Sequence, residues 1–254
     1  MPDKTIIVTG ASRGLGEAIV RQLMTQDCSV VMFARDAARL ERLANTLWRA
    51  VAIPGDVTNQ ADCERLIEET LTRFDKIDAV INCAGIIEPI ETLEKANLDA
   101  WANVYNVNVL GALRVTQLAL PHLFQQRGRI INVSSNVVNK IKPGFGAYST
   151  SKVALNHLTQ ITALENEQII CLAVCPGVVD TDMQQIIERD TLNRDDIIGQ
   201  FFKRRPERDR TLPSPEEPAK AIATLALHAD FNLQGQFMLW DDEPVQQLVT
   251  RFWA

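Results

Sequence analysis

Seven short apolar runs, separated by stretches long enough to be helices, limit this chain to few folds. The runs are Thr5–Thr9, Ser29–Phe33, Ala50–Ile53, Asp78–Asn82, Arg129–Ser134, Gln168–Val174 and Gln236–Trp240. Most are rich in Val and Ile and apolar on both faces, the pattern of strands buried in a parallel sheet. Helices are expected between them at 14–27, 36–47, 59–73, 97–126, 147–166 and 216–229. Such alternation predicts one α/β domain over residues 1–254, of Rossmann type. Its doubly wound parallel sheet should have about seven strands, with right-handed crossovers placing helices on both faces. One segment breaks the pattern: 180–217 carries many charges, two helical-looking pieces, and Pro206, Pro213 and Pro215. It lies near the carboxyl end of a strand, where such sheets bind ligands, so it reads as a substrate loop or lid. A solvated surface excursion is the alternative.

Composition narrows the function. With 254 residues, 46% of them hydrophobic, the chain can bury a core without disulfides. A net charge of −6 argues against nucleic acid or an anionic membrane as partner. The basic cluster Lys203-Arg204-Arg205 with Arg208 and Arg210 is interrupted by Glu207 and Asp209. No aromatic residues interleave with it, so it reads as a solvated face. Cys28, Cys63, Cys83, Cys171 and Cys175 form no C-x-x-C pair and are expected as buried thiols of a reducing compartment. His122, His157 and His228 are too dispersed for a zinc site, and no metal is expected. Met1-Pro2-Asp3-Lys4 runs straight into the first strand, and no apolar run reaches the roughly 18 residues of a membrane span. A cytoplasmic protein is expected.

The first strand ends in Gly10-Ala11-Ser12-Arg13-Gly14-Leu15-Gly16. Glycines at 10, 14 and 16 let backbone approach a pyrophosphate, and the following helix N-terminus directs N–H groups at it. A tight turn with no ligand is the plainer alternative. Where the second strand ends, an acid would bond the ribose 2′-hydroxyl of NAD. Ala34-Arg35 stands there instead. With Arg13, Arg35 offers two guanidiniums for a 2′-phosphate, which favours NADP(H). Arg35 as a loop cap is the alternative, and Asp36 weakens the local field. Asp56 follows the third strand, placed to accept from an adenine amino group. Asp56 or Thr58 could equally cap the next helix. Small residues in Asn82-Cys83-Ala84-Gly85 permit close approach of a ribose, with a plain turn as the alternative.

Tyr148 and Lys152 lie four apart on an expected helix and share a face. A nearby ammonium favours the phenolate, so a lowered tyrosine pKa is expected. Tyr148 then suits a general acid for a carbonyl oxygen, or a base for an alcohol. Tyr105, the other of the two tyrosines, has Val109 at that offset. Ser135, just past the fifth strand, can hydrogen-bond a substrate carbonyl.

In chain order the motifs are Thr9-Gly10-x-x-x-Gly14-x-Gly16, Asp56, Asn82-Cys83-Ala84-Gly85, Asn108, Ser135, Tyr148-x-x-x-Lys152 and Pro176-Gly177-x-x-x-Thr181. Together they resemble the short-chain dehydrogenase/reductase family over essentially the whole length, with Cys83 where the family commonly has Asn or Ala. The resemblance implies that Tyr148 donates the proton and that Lys152 bonds the nicotinamide ribose and lowers the Tyr148 pKa. It implies that Ser135, rather than Ser134, orients the carbonyl, and that Asn108 holds a water in a proton relay. Thr181 and the backbone near Val179 would anchor the carboxamide. The implied cofactor set also takes in Ser12, Leu15, Val57, Asn82, Ala84, Gly85, Pro176 and Gly177. Hydride would pass from NADPH to a carbonyl carbon.

A narrower likeness lies in Ala147-Tyr148-x-x-Ser151-Lys152-x-Ala154-Leu155-Asn156-His157, Pro176–Gln184, and the end segment Leu233-x-Gly235-Gln236 with Asp241-Asp242-Glu243. These are similar to benzil reductases, relatives of sepiapterin reductase, which reduce α-dicarbonyl and aryl ketones with NADPH. Alternatives on the same scaffold are a β-ketoacyl, sugar or steroid dehydrogenase, or a non-catalytic NADP-binding sensor. The resemblance further implies a homodimer or homotetramer. Ile86, Ile87, Pro89, Asn136 and Phe145, with Met183 or Phe201, are expected to wall the substrate pocket.

Overall fold

The computed structural model describes residues 4–204 and 212–253. Seven parallel strands form one sheet: β1 (Thr5–Thr9), β2 (Ser29–Ala34), β3 (Ala50–Pro54), β4 (Ala79–Asn82), β5 (Arg129–Val133), β6 (Ile170–Cys175) and β7 (Phe237–Leu239). Their order is β3-β2-β1-β4-β5-β6-β7. Chain direction across the sheet reverses between β1 and β4, which opens a crevice at their carboxyl ends. Register brings those ends level, with Thr9 opposite both Phe33 and Asn82.

Strand alternation divides the core in two. Ile6, Val8, Val30 and Met32 pack under α1 (Gly14–Met24), α2 (Ala37–Ala44), α9 (Glu216–His228) and α10 (Glu243–Phe252). Ile7, Val31 and Phe33 face α3 (Gln60–Phe74), α5 (Ala112–Gln126) and α6 (Gly146–Glu165). The expected fold is therefore present, with its strand ends within two residues of expectation.

Two differences matter. The stretch expected as one helix over 97–126 is three pieces: α4 (Leu98–Tyr105), a π-helical segment (Asn106–Gly111) and α5. The extra residue of a π turn leaves the apolar periodicity on either side intact, so spacing does not disclose it; such turns frequently mark functional sites. The second difference is α10, which follows the seventh strand with Pro244 in its first turn, where a missing N–H costs nothing.

Within 180–217 the helical pieces are α7 (Asp182–Thr191) and α8 (Ile197–Lys203). Arg194 Nη2 lies 2.6 Å from both Glu91 Oε1 and Asp196 Oδ2, and Arg189 Nη2 lies 2.7 Å from Glu88 Oε1. The pairs with Glu91 and Glu88 fasten the flap to the segment after β4, while Arg194–Asp196 lies within the flap. Arg205, Pro206, Glu207, Arg208, Asp209 and Arg210 lie outside the described residues, while Lys203 bonds the Arg194 carbonyl and Asp195. No helix among the described residues is long and apolar enough to cross a membrane. Cys28, Cys63, Cys171 and Cys175 are buried and Cys83 half-buried, all as free thiols.

Candidate active site

A cleft of about 550 Å³ runs along the carboxyl ends of the strands. The glycine turn forms one end. Gly10 has φ +68°, and a Cβ there would sit 2.8 Å from Ala84 Cα; on Gly16 it would sit 2.2 Å from the Gly10 carbonyl oxygen. Only glycine permits this packing of turn, helix start and β4. Thr9 Oγ1 accepts from the Cys83 and Ala84 amides, both at 3.1 Å, and so ties the turn after β4 to β1.

The expected cofactor residues of the glycine turn (Gly10, Ser12, Arg13, Gly14, Leu15, Gly16) all line this cleft. So do Arg35, Asp56 and Val57, then Ala84 and Gly85, then Pro176, Gly177, Val179 and Thr181. Asn82 does not. Its amide is buried behind the strand, donating to Asn132 Oδ1 at 2.8 Å and Thr116 Oγ1 at 3.2 Å. Side chains alternate along β4, and Asn82 falls on the face turned toward α5.

The charged end of the cleft differs in detail from expectation. Arg35 is exposed at the end of β2 and forms no ion pair among the described residues. It is not a cap: Asp36 caps α2 by accepting from the Arg39 amide at 3.0 Å, and its carboxylate also faces the Arg39 guanidinium at 3.4 Å. Arg13 is paired across the cleft with Asp182, at 2.8 Å. Arg39 lies 3.6 Å from the same carboxylate. Sequence spacing could have flagged Arg39, one helical turn past Arg35. Asp56 accepts from the Thr58 amide, but Asn59, not Asp56 or Thr58, caps α3. The carboxylate of Asp56 therefore turns the chain beside the cleft.

Tyr148, Lys152 and Ser135 meet at the other end. Tyr148 is 7% and Lys152 4% exposed. Lys152 Nζ donates to the Val133 carbonyl at 2.8 Å and lies 5.7 Å from the Tyr148 ring centroid. Ser135 and the Tyr148 phenol line the cleft together, and Ser135 favours the phenolate. Ser134 Oγ, in contrast, is buried without a partner among the described residues. Burial pushes the Tyr148 phenol up to about 12, opposed more weakly by the neighbouring Ser135 hydroxyl. The phenol is thus shifted upward rather than downward as expected: removal from water dominates, Lys152 is not among the groups that shift it, and the same burial brings the Lys152 ammonium down to about 8.

Asn108 lies in the π segment and does not line the cleft. Its Oδ1 accepts from the Ile86 amide, and its Nδ2 donates to the Ile86 carbonyl, both at 2.9 Å, and to Ser151 Oγ at 3.0 Å. Ser151 in turn donates to the Tyr148 carbonyl at 2.7 Å. The side chain therefore clamps the segment after Gly85 to the helix that carries Tyr148.

Beyond Tyr148 the cleft is apolar. Ile86, Ile87, Asn136, Phe145 and Met183 line it as expected; Pro89 and Phe201 do not. Ile198 and Phe202, four apart on α8, turn inward and leave Phe201 37% exposed. Phe202 stacks on Phe145 with ring centroids 5.4 Å apart. Ile186 and Ile187 also line the wall; their spacing with Met183 on α7 is a helical stripe that the sequence displays. Among the described residues no cluster of His, Cys, Asp and Glu could hold a metal ion.

The cleft suits an extended dinucleotide: side-chain-free backbone meets it at one end and a buried ammonium beside Gly85 at the other. Known proteins agree. Residues 4–192 match the short chain dehydrogenase family. The chain is 33% identical over 246 residues to the uncharacterized oxidoreductase YIR035C of Saccharomyces cerevisiae, across 94% of this chain and 96% of the relative. The crystal structure of that yeast protein superposes with a TM-score of 0.89, covering 96% and 99% of the two chains. A benzil reductase ((S)-benzoin forming) of the same yeast is 32% identical over 265 residues, 96% of this chain and 99% of the other. An alcohol dehydrogenase of the archaeon Thermococcus sibiricus, solved with 5-hydroxy-NADP, is 26% identical with a TM-score of 0.76, covering 93% and 95%. This chain belongs to the short-chain dehydrogenase family of oxidoreductases, whose fold binds a nicotinamide cofactor.

Proposed function

We propose that this protein is an NADPH-dependent carbonyl reductase that converts ketones or α-dicarbonyls with apolar, benzil-like bodies into secondary alcohols. The observation that carries this reading is the juxtaposition of Ser135 and Tyr148, which line one cleft beside an apolar pocket and are backed by buried Lys152. When bound, the nicotinamide supplies the hydride. The glycine turn and the N-terminus of α1 would hold the pyrophosphate, and Asp56 the adenine. Arg35, aided by Arg13, would take the 2′-phosphate. Lys152 would hold the nicotinamide ribose, with Thr181 and Val179 at the carboxamide. Ser135 and Tyr148 would both donate to the substrate oxygen, which concentrates stabilisation where charge builds. A phenol near 12 stays protonated at neutral pH and is ready to give its proton as the alcohol forms. Asn108, through Ser151 and Ile86, keeps α6 and the ribose-facing loop in register.

A small-molecule carbonyl is the proposed partner, and exposed Leu164 and Val153 on α6, with exposed Leu110 in the π segment and Leu113 on α5, support association into a homodimer or homotetramer. Five free thiols suit a reducing cytoplasm. Oxidation of NADPH against a panel of aryl ketones, α-diketones and an acetoacetyl thioester tests the reading. Turnover concentrated on the aryl and dicarbonyl members is expected; turnover of the thioester alone rejects it. Arg35→Ala should weaken NADPH more than NADH, and equal losses reject the 2′-phosphate role.

A further inference from the structure

Asp182 opens α7 and reaches across the cleft mouth to the glycine turn. Its Oδ2 lies 2.8 Å from Arg13 Nη1 and 3.6 Å from Arg39 Nη1. The two segments also meet beside this pair, since a Cβ on Gly14 would sit 3.3 Å from the Thr181 side chain at Cγ2. The Arg13 and Arg39 guanidiniums therefore meet on one carboxylate, at the end of the cleft that Arg35 also lines and where the dinucleotide's adenosine ribose would lie. A 2′-phosphate arriving there carries roughly two negative charges. It must share or displace Asp182 to use Arg13 and Arg39, and the carboxylate repels it. NADH brings no such charge to this point.

We propose that Asp182 is a coenzyme-selecting residue. It competes with the ribose 2′-phosphate for Arg13 and Arg39 and holds the preference for a phosphorylated dinucleotide below what the arginines alone would give. The inference rests on the coenzyme reading above. A carboxylate in a first helical turn also favours that helix. That role alone would act on both coenzymes alike.

The test is a fluorescence titration of the full chain with NADPH and with NADH, at low and high salt. Asp182→Asn should raise the NADPH/NADH affinity ratio by about fivefold at low ionic strength, with most of the gain gone at high salt because the pair is exposed. Asp182→Glu should keep the wild-type ratio. In the Arg13→Gln, Arg39→Gln background the gain should vanish. A ratio that Asp182→Asn leaves unchanged, or lowers, overturns the proposal, provided thermal shift shows the variant folded; a misfolded Asn variant leaves Asp182→Ser to decide. The wild-type ratio separately judges the coenzyme reading: tighter NADH there sinks that reading, whatever the variant does.

Discussion

Replacing Tyr148 by Phe removes one oxygen and little else. The ring keeps its edge-on contact with Phe145, at a centroid distance of 6.3 Å, and still covers Lys152. The lost hydroxyl lies in a buried site lined by Ser135, so removing one polar group there should move stability by about 1 kcal/mol. For the chemistry the same atom is proton donor and oxyanion partner. General acid catalysis is worth about 10²–10⁴ and a lost oxyanion donor about 10²–10³. These overlap because one group supplies both, and Ser135 remains. A fall in kcat for ketone reduction of about 10³ follows, with NADPH affinity within about twofold, since the phenol adds little to coenzyme binding. Absorbance of the reduced nicotinamide gives turnover, and coenzyme fluorescence gives affinity. A folded Tyr148→Phe enzyme with kcat within tenfold of wild type would refute the assignment.

The Lys152 ammonium titrates near 8 in the fold and near 10.5 when unfolded. Between those values the unfolded chain holds the extra proton, so this residue makes stability rise with pH from about 8 to 10.5, and below 8 the whole penalty applies. Lys152→Met should flatten that part of the curve in urea midpoints measured at intervals across the window; parallel curves for the two proteins would contradict it. Gly16→Ala drives a methyl into the Gly10 carbonyl and should cost about 1–3 kcal/mol or more, lowering Tm by several degrees, and should also weaken coenzyme binding. An unaltered melting curve would show that the turn yields. Leu164→Glu, placed on the exposed face of α6, should shift the sedimentation profile toward monomer without altering the fold seen by circular dichroism. An unmoved profile argues that this face is not the contact.

What the sequence made legible follows from burial. Strands in a two-sided sheet must be apolar throughout, so β1, β2 and β6 stand out as runs of Val, Ile and Leu, and the glycines declare the turn because nothing larger fits. The pKa of Tyr148 was illegible because it depends on how much water reaches the phenol, which residue spacing does not encode. Asn82 and Asn108 were legible as important polar residues, yet their partners, Asn132 and Ile86, come from pairings across the sheet and the π segment. The last helix carries Val245, Leu248, Val249 and Phe252 at helical spacing, but strand–helix alternation ends at β7 and does not call for it. Asp182 became visible only when the flap was seen to cross the glycine turn.

Met183, Ile186, Ile187 and Phe202 all ride on α7 and α8, outside the strands that fix Ser135 and the helix that carries Tyr148 and Lys152. Those two helices are held by the apolar cluster around Phe145 and Phe202 together with a few ionic contacts led by Arg194. Evolution can therefore rewrite the guest list without disturbing the kitchen. Drift in a few flap side chains changes which molecules are admitted, while the proton donor and the hydride seat stay as inherited.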